Sequence, residues 1–156
     1  MLYPLARTLH LIALLGVAAG AVGALLLLIC IQRVMRESVQ QAAGLSRVCS
    51  TFADAASRSA LLMLVTGALL MAARDWSDWG KGWLLAKAVA FLALSGVALW
   101  LAKPSTRKLS AVLTAVARGT TDRRAAMAAL RAATRICAAE CLALVALVAT
   151  SVLAPH

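Results

Sequence analysis

The chain has 156 residues, 63% of them hydrophobic and 14% charged, with a formal net charge of +10. Soluble domains of this length are about half apolar, so the composition excludes an ordinary water-soluble globule. The basic balance would suit nucleic acid, but the two long basic connections, 32–57 and 103–135, carry only Phe52 as an aromatic, so no stacking platform accompanies the charge and no nucleic-acid partner is expected.

The apolar residues fall in blocks close to the ~20 residues that cross a hydrocarbon core. The first is Leu9–Ile31. It outruns the 7–15-residue core of a cleaved leader, and Gln32, Arg33 and Arg36 follow it in place of a small-residue cleavage site. It reads as span one, with its helix predicted to continue past Arg36 toward Gly44. Gly16 with Gly20, and Ala19 with Gly23, form small-xxx-small pairs that let helices approach closely, inside the same bundle or in a homodimer or partner contact. The connection 32–57 follows. Ala60–Ala73 is short for a crossing, but the mild stretch before it extends the helix, giving span two as 58–74.

Trp76, Trp79 and Trp83 surround the next, short connection and mark a headgroup level, because indole prefers the interface. Span three is 83–102, with Trp100 near its other end; Trp83 to Trp100 is a rise of about 26 Å, which suits one crossing. In the connection 103–135, Leu109, Val112, Leu113 and Val116 recur at helical spacing after Pro104, predicting an amphipathic helix over Ser105–Ala117. Gly119 is its predicted stop, and Thr120 or Thr121 the predicted cap of the next helix. Asp122 to Leu153 contains neither Gly nor Pro, so one long helix is expected to run into span four, 136–154.

Twelve Lys and Arg residues fall in connections one and three, including Arg58 at the foot of span two, against three in the N-terminal segment and the second connection. The positive-inside bias makes 32–57 and 103–135 cytoplasmic and puts both termini on the opposite side, the periplasm for a bacterial inner membrane. The expected fold is all-α: residues 1–156 as a single polytopic membrane domain, four transmembrane helices in a bundle with helical cytoplasmic extensions. The positive charge is then mainly a topology signal, with added attraction to anionic headgroups of about 1 kcal/mol per residue near the surface.

Ionisable groups inside spans are the candidates for chemistry. His10 lies near the outer end of span one and suits a haem ligand, a proton carrier or an interfacial histidine. Lys87 lies one turn inward from Trp83, at comparable depth. It either snorkels to the headgroups or points into the bundle toward an anionic group such as a propionate. Glu140 sits near the inner end of span four between Cys137 and Cys141, where Arg135 or interfacial water are its expected partners. Cys30, Cys49, Cys137 and Cys141 lie at the inner end, where reduced thiols are expected; a soft-metal cluster and small apolar filler are the two readings. The only other histidine is His156, so bis-histidine haem ligation within one chain is not expected, nor is a dedicated metal site.

Three segments carry a resemblance: Arg7–His10 (RTLH) opening span one, Val65–Leu69 (VTGAL) in span two, and Gly82–Lys87 (GWLLAK) opening span three. With the span order, loop lengths and basic third connection, they resemble the HemJ-type protoporphyrinogen IX oxidases and the wider group of small membrane proteins that includes CopD-like domains. The resemblance implies a four-helix membrane bundle, haem b as cofactor, and roles in haem binding or activity at His10 and Lys87. The family's histidine just before its alanine–lysine pair is Leu85 here, its histidine at the inner end of span one has no counterpart, and its proline after the acid of the last span is missing at Glu140. The main expectation is therefore a HemJ-like bundle acting as a non-catalytic or accessory subunit, bound to lipid and to other membrane-protein subunits or to copies of itself. The alternative is a haem-binding oxidoreductase acting on protoporphyrinogen IX through His10 and Lys87.

Overall fold

Helix α1 covers Leu2–Val34 and ends there, short of the predicted continuation toward Gly44. The reversal is local. Ser38 has an extended backbone and its hydroxyl accepts from the Gln41 N–H at 3.3 Å, so the Ser-x-x-Gln run starts a new helix. Helix α2 then runs unbroken over Val39–Ala72, about 50 Å.

The computed structural model describes residues 2–73 and 82–153, all-helical with no strand among them. The connection holding Trp76 and Trp79, the side chain of Trp83, and His156 lie outside the described residues.

Helix α3 (Gly82–Val97) does not stop before Pro104. It passes through a π-turn over Ala98–Ala102 into α4 (Lys103–Ala117) as one rod. A proline inside a helix clashes with the carbonyl four residues back. Widening the preceding turn, so that the Lys103 N–H reaches Ala98 O, relieves that clash without ending the helix. Helix α4 ends as its sequence predicts. Gly119 takes φ 74°, its N–H reaches Val116 O at 3.0 Å, and Thr120 N–H reaches Ala115 O at 3.0 Å, the crossed pair of a Schellman end. Thr120 is spent on that closure, so Asp122 receives the Arg124 N–H at 3.3 Å and caps α5 (Arg123–Leu153) in place of the predicted threonines.

The rods pack in a ring, α1 on α2, α2 on α4, α4 on α5 and α5 on α1, while α3 packs chiefly on α5. There are two cores. The larger lies at the charged end, where Leu28 and Ile31 of α1 and Met35 just after it are enclosed by Ala42 and Cys49 of α2, Leu109 and Leu113 of α4, and Leu130 of α5. Arg123 donates to the Met35 carbonyl there, giving a partner to an oxygen just past the end of α1. The smaller core, Val17, Ala21, Ala60, Phe91 and Leu144, sits in the apolar half.

Among the described residues four helices are long and apolar enough to cross a membrane: Tyr3–Val34, Val39–Ala72, Leu84–Ala117 across the π-turn, and Arg123–Thr150.

Candidate functional site in the bundle interior

The chemistry-bearing residues fall at three levels. At the level of α1's first turns, His10 Nδ1 lies 3.0 Å from Thr66 Oγ1 of α2. Thr66 is buried, and its hydroxyl donates to Leu62 O at 2.8 Å. With that proton committed, the Thr66 oxygen accepts the Nδ1–H of His10, and the imidazole keeps its Nε2 lone pair. Gly67 makes room for the ring: a Cβ there would lie 3.5 Å from His10 Cε1. Thr66, in the apolar VTGAL run, is the partner that sequence reasoning did not assign.

Lys87 is half-buried on α3. Its helix packs on α5, and α1 packs on α2 and α5, so the helices of His10 and Lys87 are not joined by a packed face.

One level further, the small residues of α1 are taken up by α2. A Cβ on Gly16 would lie 2.4 Å from Ser59 Oγ, one on Gly20 2.6 Å from Ala56 Cβ, and one on Gly23 2.5 Å from Phe52 Cδ1. This surface is occupied within the chain, and a partner would have to dock elsewhere.

At the junction of the two halves, Glu140 of α5 is 6% exposed and borders a small void of about 10 Å³. Gly20, Ala21 and Ala24 of α1, Ala53, Ala56 and Ser57 of α2, and Ala98 and Ala102 of the π-turn wall it. Among the described residues the carboxyl has neither the Arg135 partner expected for it nor any other ion-pair partner. Lys103 also lines the void, but its ammonium pairs with Asp54 of α2 at 3.0 Å, and Arg107 adds a second contact to that carboxylate at 3.2 Å. The hydrogen bond from Lys103, assisted by Arg107, holds the Asp54 carboxyl below its ordinary range.

The thiols do not assemble. Cys30 is exposed, while Cys49 and Cys137 are buried in the large core, Cys49 pointing at Ala24 O. Among the described residues no three His, Cys, Asp or Glu side chains are placed to hold a metal ion. An open groove of about 540 Å³ between α2 and α4 carries Arg107 and Arg118 with Ser50, Thr114 and Thr120. Those three hydroxyls already donate to backbone carbonyls of their own segments.

Comparison with protein-family models, with curated proteins and with solved structures returned no match.

Proposed function

We propose that the chain is an integral protein of a bacterial inner membrane, crossed four times, with both termini periplasmic and segments 32–57 and 103–135 cytoplasmic. Its bundle serves as a non-catalytic, accessory subunit of a larger membrane complex. The observation that carries this reading is the state of α3. That helix packs chiefly on α5 and turns Leu85, Val89, Leu92 and Leu99 outward, with Trp100 81% exposed. The close-packing glycines are already used between α1 and α2, so α3 is where a further transmembrane helix would add. The test is a photoreactive residue at Leu85, Val89 or Leu92 in native membranes. One protein adduct of constant mass is expected from these sites and not from Leu61 on α2. Lipid adducts alone at all three would overturn the assignment.

A second reading is favoured by the His10–Thr66 bond: a haem-binding oxidoreductase acting on protoporphyrinogen IX, as the resemblance to HemJ-type enzymes suggests. A histidine that donates through Nδ1 and keeps Nε2 free has the arrangement of an axial ligand held by a neighbouring acceptor. Haem would supply the redox chemistry. His10 would hold its iron, and Lys87 would pair with a propionate from across the ring of helices. The absorption spectrum of the purified chain after expression with ample haem decides this. A Soret band lost in His10→Ala supports it, and a featureless wild-type spectrum rejects it.

A further inference from the structure

We infer that Glu140 is the binding site of a single small cation, a proton or a sodium ion, held in the interior void where the four rods meet. The inference is independent of both functional readings above.

Four observations converge on it. A carboxylate walled by alanine and glycine is costly without a counter-charge, and ionisable groups at such positions point to function. Among the described residues Glu140 has no such charge: the one lysine at the void pairs with Asp54 at 3.0 Å. The space beside it is real but small, with room for about one water molecule. That suits a proton or one partly dehydrated ion and excludes an organic ligand.

The third observation is the backbone. The only π-turn among the described residues, Ala98–Ala102, lies across the void from Glu140 and lines it through Ala98 and Ala102. Such turns gather at functional sites, and this one meets the void with its Ala98 carbonyl already taken by the Lys103 N–H. The fourth is Ser95, one turn before Ala98 on the buried stripe of α3. It is 6% exposed, and its hydroxyl is the one buried side-chain polar atom without a partner among the described residues. Ser57 lines the void itself, and its hydroxyl, which donates to Ala53 O at 2.8 Å, keeps a lone pair for a cation.

The charged and titratable groups facing Glu140 are few. Helix α1 offers none at the void. Helix α2 offers Ser57, with Asp54 at the rim and Cys49 deeper in the core; α4 offers Lys103, and α5 itself carries Cys137 and Cys141. Lys103 and Asp54 neutralise each other at the charged end. The cation therefore takes the place of the one water the void could hold and binds Glu140 with the Ser57 hydroxyl oxygen.

The experiment is carbodiimide labelling of the full chain in detergent, read by peptide mass spectrometry. Dicyclohexylcarbodiimide couples to carboxylic acids in apolar surroundings, and the exposed Glu37 serves as the internal reference. A Glu140 adduct is expected to form at least about tenfold faster than the Glu37 adduct near pH 6, because of the two acids only Glu140 stands in apolar surroundings. Raising the pH to about 9 in choline buffer identifies a proton site if labelling falls by a similar factor and sodium has no effect. Protection by sodium but not by choline at constant pH identifies a sodium site, and Ser57→Ala then weakens that protection. Glu140 labelling no faster than Glu37, or indifferent to both pH and sodium, would overturn the inference.

Discussion

Gly20 and Ala56 are in such close approach that a Cβ on the glycine would sit 2.6 Å from the alanine Cβ and 2.9 Å from its backbone. No side-chain rotation relieves such a clash, because the opposing atoms belong to the helix itself. Gly20→Val is expected to lower stability by about 1–3 kcal/mol, the usual range for overpacking a filled interface. Gly44 is the control: nothing lies within 4 Å of its Cβ position, and it sits mid-helix. Gly44→Ala should stabilise the chain by about 0.5–1 kcal/mol through helix propensity alone. Thermal unfolding in detergent, followed by circular dichroism, separates the two; equal effects would mean that α1 and α2 are not locked there.

Thr66→Val keeps the shape of the side chain while removing the oxygen that accepts from His10. The imidazole N–H is left with only the Met63 carbonyl, at an expected loss of about 0.5–1.5 kcal/mol. The cycle with His10→Ala should show coupling of at least about 0.5 kcal/mol between the two sites. Additive losses would mean that the bond contributes nothing to the fold.

Asp54 gives the bundle a pH dependence whose sign is fixed. Lys103 and Arg107 hold its folded-state pKa below the ordinary 3.8. The stability it contributes is therefore fully present above that value and is lost as the pH falls through the folded-state pKa, below about pH 4. The pair is partly exposed, so the contribution is expected to stay under about 1 kcal/mol. Melting curves between about pH 3 and 7 should show this fall in the wild type but a flatter profile in Asp54→Asn. A difference that instead appeared near neutral pH would point to another group.

The distribution of the cores predicts unequal costs for one substitution. Leu113 is fully buried at the charged end, while Leu85 is 46% exposed in the apolar half. Leu113→Ala should cost about 2–5 kcal/mol, and Leu85→Ala, which opens no enclosed cavity, under about 1 kcal/mol. Comparable losses in detergent would place an interior contact at Leu85.

Much of the architecture was legible because it is written in periodicity and punctuation. The apolar blocks, the Leu109–Val116 stripe, Gly119 and the uninterrupted run after Asp122 all correspond to what the backbone does. The misreadings have local causes. The continuation past Arg36 overlooked Ser38 and Gln41, a capping pair placed just before a weakly apolar stretch. Pro104 read as a helix start, whereas the π-turn before it lets the rod pass through. For the site, sequence spacing locates His10, Lys87 and Glu140 along their helices but not the order of the helices around the ring. Neither Thr66 beneath His10 nor the Asp54–Lys103 pair beside the void was assigned, because both are contacts between residues about 50 positions apart.

The larger core encloses the last turns of α1 at the end rich in lysine and arginine. Helices surrounded by hydrocarbon gain little by hiding apolar side chains from one another, whereas helices in water gain much. On the proposed insertion, the wet end therefore acts as a clasp, gathering rods that the bilayer has already threaded. The lipid-facing half needs only small residues and adequate length, and its sequence is free to drift between lineages. The sheath around Leu28, Ile31 and Met35 is where ancestry should persist longest, and a profile weighted toward that end is the better probe for distant kin.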